Sequence, residues 1–273
     1  SEWSLSRALT VVAGVRSGRV ELQARDAYLS NGDDSGRLQF SYTNPAVGLR
    51  WAAAERTILH ASAGRGFESP TLAELAYRAD GTGGFNTGLK PQSSSQFEMG
   101  AKHRTGGVDW DAALFDARTE NEIGVATNSG GRSAFQNVGR TLRRGVEASA
   151  QWRIDRQWQA RLSASLLQAR YLDAFLTCDS IPCAAPNALV VAGNRIAGTP
   201  RAWGFGEVVR RDASMGDLGL EWRAVGAVPV NDRNTDSAQG YGLWSARWSK
   251  AWAVGAALRL ESLLRVDNLA DRR

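Results

Sequence analysis

The chain is poor in the residues from which most catalytic and metal centres are built. Its 273 residues include 2 His, 2 Cys and 2 Met, which excludes a histidine-rich metal site and a cysteine framework. No run of 18 or more apolar residues occurs, so no transmembrane helix is written into it. There is no Gly-x-Ser-x-Gly element, and neither His60 nor His103 stands beside a nucleophile signature. The hydrolase constellation is therefore missing, both histidines read as structural or lumen-facing, and the chain reads as no enzyme. Neither sign of charge dominates: 33 Lys+Arg face 28 Asp+Glu, a net +5 spread along the chain, which argues against a nucleic-acid partner. A start Met, a charged n-region and an apolar h-region are also missing. The chain opens Ser1-Glu2-Trp3 inside a strand-like pattern and stops at Asp271-Arg272-Arg273. It reads as a piece of a longer protein.

What is present is 29 Gly, 10 Trp and 43% hydrophobic residues, set out in strict alternation. Val146, Ala148, Ala150 and Trp152 alternate with Glu147, Ser149, Gln151 and Arg153. Trp158, Ala160, Leu162, Ala164 and Leu166 do the same, as do Leu218–Ala224 and Trp252–Leu260. Side chains alternate across a strand, so each segment has one apolar and one charged face. About twelve such segments are predicted, near 3–14, 19–29, 38–53, 57–66, 93–104, 108–120, 139–154, 157–172, 199–211, 217–229, 240–249 and 252–267. Many run ~10 residues, longer than the usual ~5–6 and suited to a tilted strand that crosses a bilayer.

Connections alternate between short and long. Tight turns are predicted at Arg16–Gly18, Glu55-Arg56, Thr105–Gly107, Asp155-Arg156, Asp212–Gly216 and Ser249–Ala251, and long loops at 67–92, 121–138, 173–198 and 230–239. Trp51, Trp110, Trp152, Trp158, Trp248 and Trp252 cluster at the tight turns, where an interfacial aromatic girdle belongs. The alternative is core tryptophan in a soluble β-sandwich. The fold class that follows is all-β: an antiparallel up-and-down transmembrane β-barrel. Glu98, Glu147, Arg153, Arg161, Glu221, Arg223, Arg259, Glu261 and Arg265 fall on its interior side, where a solvated or plug-facing wall is the plain reading.

The long loop after the fourth segment carries Gly64-Arg65-Gly66-Phe67-Glu68-Ser69-Pro70-Thr71 and Glu74-Leu75. Further on come Gly84-Phe85-Asn86, Leu89-Lys90-Pro91, Ser94-Ser95, Glu98-Met99-Gly100, Phe115, Asn121-Glu122-Ile123, Asn137-Val138-Gly139, Gly145-Val146-Glu147 and Val266–Asp271. Together these resemble the TonB-dependent outer-membrane receptors. The resemblance implies a barrel of about 22 strands with an N-terminal plug. Against it, residues 1–273 look like about 12 strands of the C-terminal part, without the plug, the TonB box, the early strands and the last strand. Pro70 after an N-cap Ser69 predicts a short helix over Thr71–Tyr77, and Gly81–Gly84 predicts a flexible stretch rather than a dinucleotide fingerprint.

The resemblance implies part of an outer-membrane importer of ferric siderophores in a Gram-negative bacterium, energised through the TonB complex. A passive porin, a surface adhesin, or a receptor for vitamin B12 or copper are the alternatives. Candidate ligand contacts are the loop residues Tyr77, Arg78, Phe85, Asn86, Arg132, Phe135, Gln136, Asn194, Arg195, Arg233 and Tyr241. Arg and aromatic groups suit an anionic, partly aromatic chelate, and suit lipopolysaccharide phosphates equally; solvated loop residues are the default. No resident cofactor or metal is expected, and outer-membrane lipid is the expected surrounding. Cys178 and Cys183 lie in one polar loop, where a loop-closing disulfide fits a secreted surface. Metal binding is the sharper reading, but two Cys with no nearby His make an incomplete site.

Overall fold

A computed structural model describes all residues except 31, 81–83, 181, 182, 184, 255–257 and 273. Its centre is one antiparallel sheet of twelve strands, each paired with its sequence neighbours in the wall. In chain order the wall strands are β1 (Glu2–Ser4), β2 (Leu9–Ala24), β3 (Gly36–Ala54), β4 (Thr57–Glu68), β5 (Gln92–Arg104) and β6 (Val108–Glu120), then β9 (Thr141–Arg153), β10 (Trp158–Tyr171), β13 (Ala202–Arg210), β14 (Asp217–Val225), β17 (Tyr241–Val254) and β18 (Leu258–Val266). Three two-stranded hairpins stand in the long loops: β7 (Ile123–Ser129) with β8 (Arg132–Asn137), β11 (Phe175–Thr177) with β12 (Ala188–Val190), and β15 (Val228–Pro229) with β16 (Ser237–Ala238). No α-helix occurs among the described residues.

The up-and-down order follows the alternation of turn lengths. One rim carries the tight turns at 5–8, 55–56, 105–107, 154–157 and 211–216; the other carries the long loops. Two predicted turns are corrected. Arg16–Gly18 lies inside β2, which pairs with β3 without a break from Leu9↔Trp51 to Ala24↔Gly36. Ser249–Ala251 lies inside β17, paired with β18 through Val254↔Leu258, and the turn falls at 255–257, outside the described residues. Trp248 and Trp252 therefore share one strand rather than flanking a turn. The predicted helix over Thr71–Tyr77 is a single turn, with Leu75 N–H bonded to Thr71 O at 3.1 Å. Its cap is Thr71 rather than Ser69. Glu74 accepts from Thr71 N–H at 2.7 Å, while Thr71 Oγ1 accepts from Glu74 N–H at 3.3 Å, a capping box on one turn. Of the predicted flexible stretch Gly81–Gly84, residues 81–83 lie outside the described residues.

Register fixes the two faces, because directly paired residues point to the same side. Leu49, Ala61, Met99, Leu114, Val146 and Leu166 form one cross-strand row. These apolar side chains are solvent-accessible in the isolated chain; Leu114 is 50% exposed and Leu166 59%. A water-soluble sheet would cover such a belt. Trp51, Trp152, Trp158 and Trp252 ring its tight-turn end and are also exposed. The core proper is small and sits in the loop layer. One cluster is Leu75, Phe85 and Leu89, packed by Leu22, Leu38, Ile123 and Phe135; a second is Val138, Tyr171 and Val190.

Candidate functional site

Two features face away from the apolar belt: a charged wall and the loop layer that caps it. On the wall, Arg161, Glu207, Arg247, Glu221, Arg265 and Asp267 form a chain of ion pairs across β10, β13, β14, β17 and β18. The closest contacts are Arg247–Glu207 and Arg265–Glu221, both 2.7 Å. Each of these two pairs joins strands two apart in the sheet. Such reach is natural on an inner face, where side chains converge. Glu207 is 7% exposed, and a carboxylate so buried needs both its arginines. The alternation of sequence marked Arg161, Glu221 and Arg265 for this face but missed Glu207, Arg247 and Asp267. Their signal was their parity beside Val208 and Ala246.

His60 also faces inward, with Nε2 3.4 Å from Glu98. His103 belongs instead to the outward row. Its Nδ1 lies 2.9 Å from Thr57 Oγ1 and its ring stacks on Trp110 at the tight-turn rim. It is structural rather than lumen-facing.

The loop layer is held by amide side chains spliced into foreign backbone. Asn86 Nδ2 donates to Phe135 O at 3.2 Å, and Asn86 N–H donates to Leu75 O at 2.8 Å. Asn137 accepts from Lys90 N–H at 2.8 Å and donates back to Lys90 O at 2.9 Å. Gln136 donates to Leu176 O at 2.6 Å, joining the β7–β8 hairpin to β11. Asn194 donates to Asp232 O at 2.9 Å; Arg195 donates to Thr199 O at 2.7 Å, and its N–H to Asn234 Oδ1 at 2.7 Å. Tyr171 donates its hydroxyl to Asp232 at 2.8 Å, and Arg233 pairs with Asp179. Asp232 and Asn234 were not marked in the sequence, since nothing local reveals partners some forty to sixty residues away.

The candidate contacts therefore divide. Phe85, 8% exposed, is core, and Phe135 packs against it. Asn86, Gln136, Asn194, Arg195 and Arg233 tie loops together. Tyr77 is 39% exposed, with the Arg132 guanidinium 5.1 Å from its ring centre. Arg78 pairs with Asp80 at 3.0 Å, and Tyr241, at the start of β17, is 44% exposed. Tyr77, Arg78, Arg132 and Tyr241 are the exposed members; Phe85 is buried and the others are half-buried.

Charge is also fixed at the loop bases. Burial alone would raise the Glu122 carboxyl, but hydrogen bonds from Arg143 and Thr141 outweigh it and hold the group below its ordinary range. Arg140 donates to Asp173 at 2.7 Å and lowers that carboxyl likewise. Gly139, at φ 88°, makes the turn between them; a Cβ there would lie 2.8 Å from Asp173 Oδ2. Cys178 and Cys183 form a disulfide, and Cys183 N–H bonds Asn128 O at 2.9 Å, fastening this loop to β7. Among the described residues, no group of three or more His, Cys, Asp or Glu is placed to hold a metal ion. Tyr77 and Arg132 thus present an exposed arginine–aromatic contact on the loop layer, and the ion-paired wall lies on later strands.

Comparison with known proteins agrees with this architecture. Residues 1–269 match the family described as "TonB dependent receptor-like, beta-barrel". Among solved structures, the copper transporter OprC superposes with a TM-score of 0.77 at 17% identity, over 99% of this chain and 41% of that one. The siderophore receptor PiuA from Acinetobacter baumannii gives 0.74 at 17% identity, over 98% and 38%. The ferric yersiniabactin uptake receptor FyuA from Yersinia pestis gives 0.63 at 17% identity, over 97% and 44%. At such identity the likeness is one of fold. The chain spans about two-fifths of the length of these structures.

Proposed function

The chain belongs to the TonB-dependent receptor β-barrel family, and from that premise we propose that it forms later strands and part of the capture surface of an importer of ferric siderophores. The family is one of transporters and receptors rather than enzymes. In this reading the whole protein sits in the outer membrane of a Gram-negative bacterium. The loops take the chelate, a plug relays it, and the TonB complex supplies energy through that plug. Outer-membrane lipid meets the apolar belt.

The observation that carries the reading is the pairing of an outward greasy belt with a tied, rigid loop layer that leaves Tyr77, Arg78, Arg132 and Tyr241 exposed. Arginine beside an aromatic ring suits an anionic, aromatic chelate through charge and stacking. Preorganised loops lose little freedom on capture. PiuA is a siderophore receptor and FyuA a ferric yersiniabactin uptake receptor; OprC is a copper transporter, so copper is the competing cargo.

The test is uptake of radiolabelled ferric siderophores, and of copper, by cells carrying the full-length gene. Deleting loops 67–92, 121–138 and 173–198 together is expected to abolish siderophore uptake. Removing TonB is expected to do the same. Unchanged uptake after the triple deletion overturns the capture role, and copper uptake alone moves the cargo.

A further inference from the structure

The tight-turn rim carries positive charge that the protein leaves unanswered. Arg7, Arg56, Arg156 and Arg211 stand one to a turn, in the turns at 5–8, 55–56, 154–157 and 211–216, and all four are exposed. On the inner wall, by contrast, Arg247 and Arg265 each meet a carboxylate at 2.7 Å. Among the described residues none of the four rim arginines is ion-paired; the pairs near this rim belong to Arg104, Arg153 and Arg210. The Arg211 side chain meets a neutral partner, the Gln159 amide oxygen, at 3.0 Å.

The carboxylates of the same turns are folded back into them. Asp155 accepts from the N–H groups of Gln157 and Trp158, both at 2.7 Å. Asp212 accepts from those of Ser214 and Met215, both at 2.9 Å. Aspartate in a tight turn takes this role because its short side chain reaches the backbone two residues on. Glu55, exposed beside Arg56, is the exception. The middle turn, at 105–107, presents no arginine of this kind. Arg104 donates to Trp110 O at 2.8 Å, and Asp109 accepts from the N–H groups of Thr105 and Gly106.

Successive tight turns are two strands apart, ~10 Å at ~4.8 Å per strand. Arg7 and Arg56 are one such step apart, Arg156 and Arg211 another, and two steps separate the pairs. The turns are short and neither packed cluster reaches them, so the guanidinia form a row along a narrow rim rather than the lining of a pocket. Trp51, Trp152 and Trp158 stand on the belt side of these turns, which puts the row beyond the interfacial ring, in water.

We propose that this rim docks a linear polyanion with regularly spaced carboxylates: a glycan strand with peptide stems, of the peptidoglycan class. Each guanidinium takes a stem carboxylate in its fork. Exposed pairs are individually weak, so the hold comes from several engaged on one strand at once. A row in water suits a polymer there better than a phospholipid, whose headgroup lies level with the tryptophans.

The inference rests on the proposed outer-membrane placement, with the tight turns facing the periplasm, but its test reads glycan rather than cargo, so either can fail alone. The full-length protein in detergent is titrated with purified, protein-free peptidoglycan sacculi, and the fraction that co-sediments is measured. R7Q/R56Q/R156Q/R211Q is expected to bind about tenfold more weakly than wild type, four weak contacts being lost together. R7K/R56K/R156K/R211K is expected to recover part of the affinity. R16Q/R19Q/R25Q/R37Q removes the same charge from the β2–β3 hairpin on the long-loop side and is expected to bind as wild type does. Sacculi with amidated carboxylates are expected to bind wild type weakly. Equal binding of native and amidated sacculi by wild type overturns the proposal without recourse to any variant. Equal losses in the two Gln variants reveal general charge attraction and also overturn it. Phosphatidylglycerol that, added to the micelles, displaces wild type from sacculi makes the row a lipid site and does the same.

Discussion

The wall and the loop layer are built by different means. The wall has almost no packed interior; it is a single sheet whose backbone bonds run from strand to strand, and whose outer side chains are apolar and exposed. The loop layer has few long ladders, but it holds the buried side chains and the long-range amide bonds. In hydrocarbon an unpaired peptide group is very costly, so pairing alone makes a wall cooperative. In water that penalty is absent, and loops above the membrane must be fastened by cores, amides and a disulfide. Cooperative pairing thus governs one region and local fastening the other.

The largest expected effect strikes the fastening. Phe85→Ala removes a ring from the Leu75–Phe85–Leu89 cluster and should cost about 3–5 kcal/mol locally. Hydrogen exchange should show the 69–91 loop losing protection while β5 and β6 keep theirs; equal loss in the strands would erase the distinction drawn above. Next is Leu114→Arg, in the middle of the outward belt, expected to cost about 2–4 kcal/mol in guanidinium unfolding from lipid vesicles. Glu147→Gln, on the opposite face of the adjacent strand, should change little, and a matching cost there would contradict the assignment of faces.

Replacing Cys178 and Cys183 together by Ala should release about 2 kcal/mol of constraint on a short loop, seen as faster exchange in 173–198 with the wall unaltered. Tyr171→Phe deletes the hydroxyl donated to Asp232 and should cost about 1 kcal/mol; a double-mutant cycle with Asp232→Ala measures the coupling. The smallest effect is at Asp212 in a tight turn. Its carboxyl accepts from the N–H of Met215 first, then from Ser214, and is pulled down to about 2. A depressed carboxyl stabilises the turn above the ordinary range of such groups and loses that contribution as pH falls through about 2. An NMR titration of Asp212 in micelles that found the ordinary 3.8 would remove this feature.

Much of the wall was legible because period-two patterning is forced wherever one face meets hydrocarbon. The misplaced turns show the limit. Around Arg16-Ser17-Gly18-Arg19 the strand has risen above the belt, and its outer side chains become polar: Ser17 pairs with Thr43 and Arg19 with Gln39. Both faces are then polar and the pattern vanishes, although the strand does not. Lys250 is the mirror case at the other rim, lying over the Trp252 ring at 4.0 Å in what looked like a turn. In the loop layer, family motifs drew attention to Phe85 and Asn86 but not to their roles. An Asn that binds a backbone carbonyl 49 residues away leaves no local trace.

The run of matched charges from Arg161 to Asp267 bears on traffic past the wall. Every guanidinium there is already answered by a carboxylate, so the surface is nearly neutral to a solute a few ångströms off, whatever its sign. A passing ion gains a partner only by displacing one that is present, a swap with little net gain at each step. Such a lining offers a solute no fixed resting place along its length.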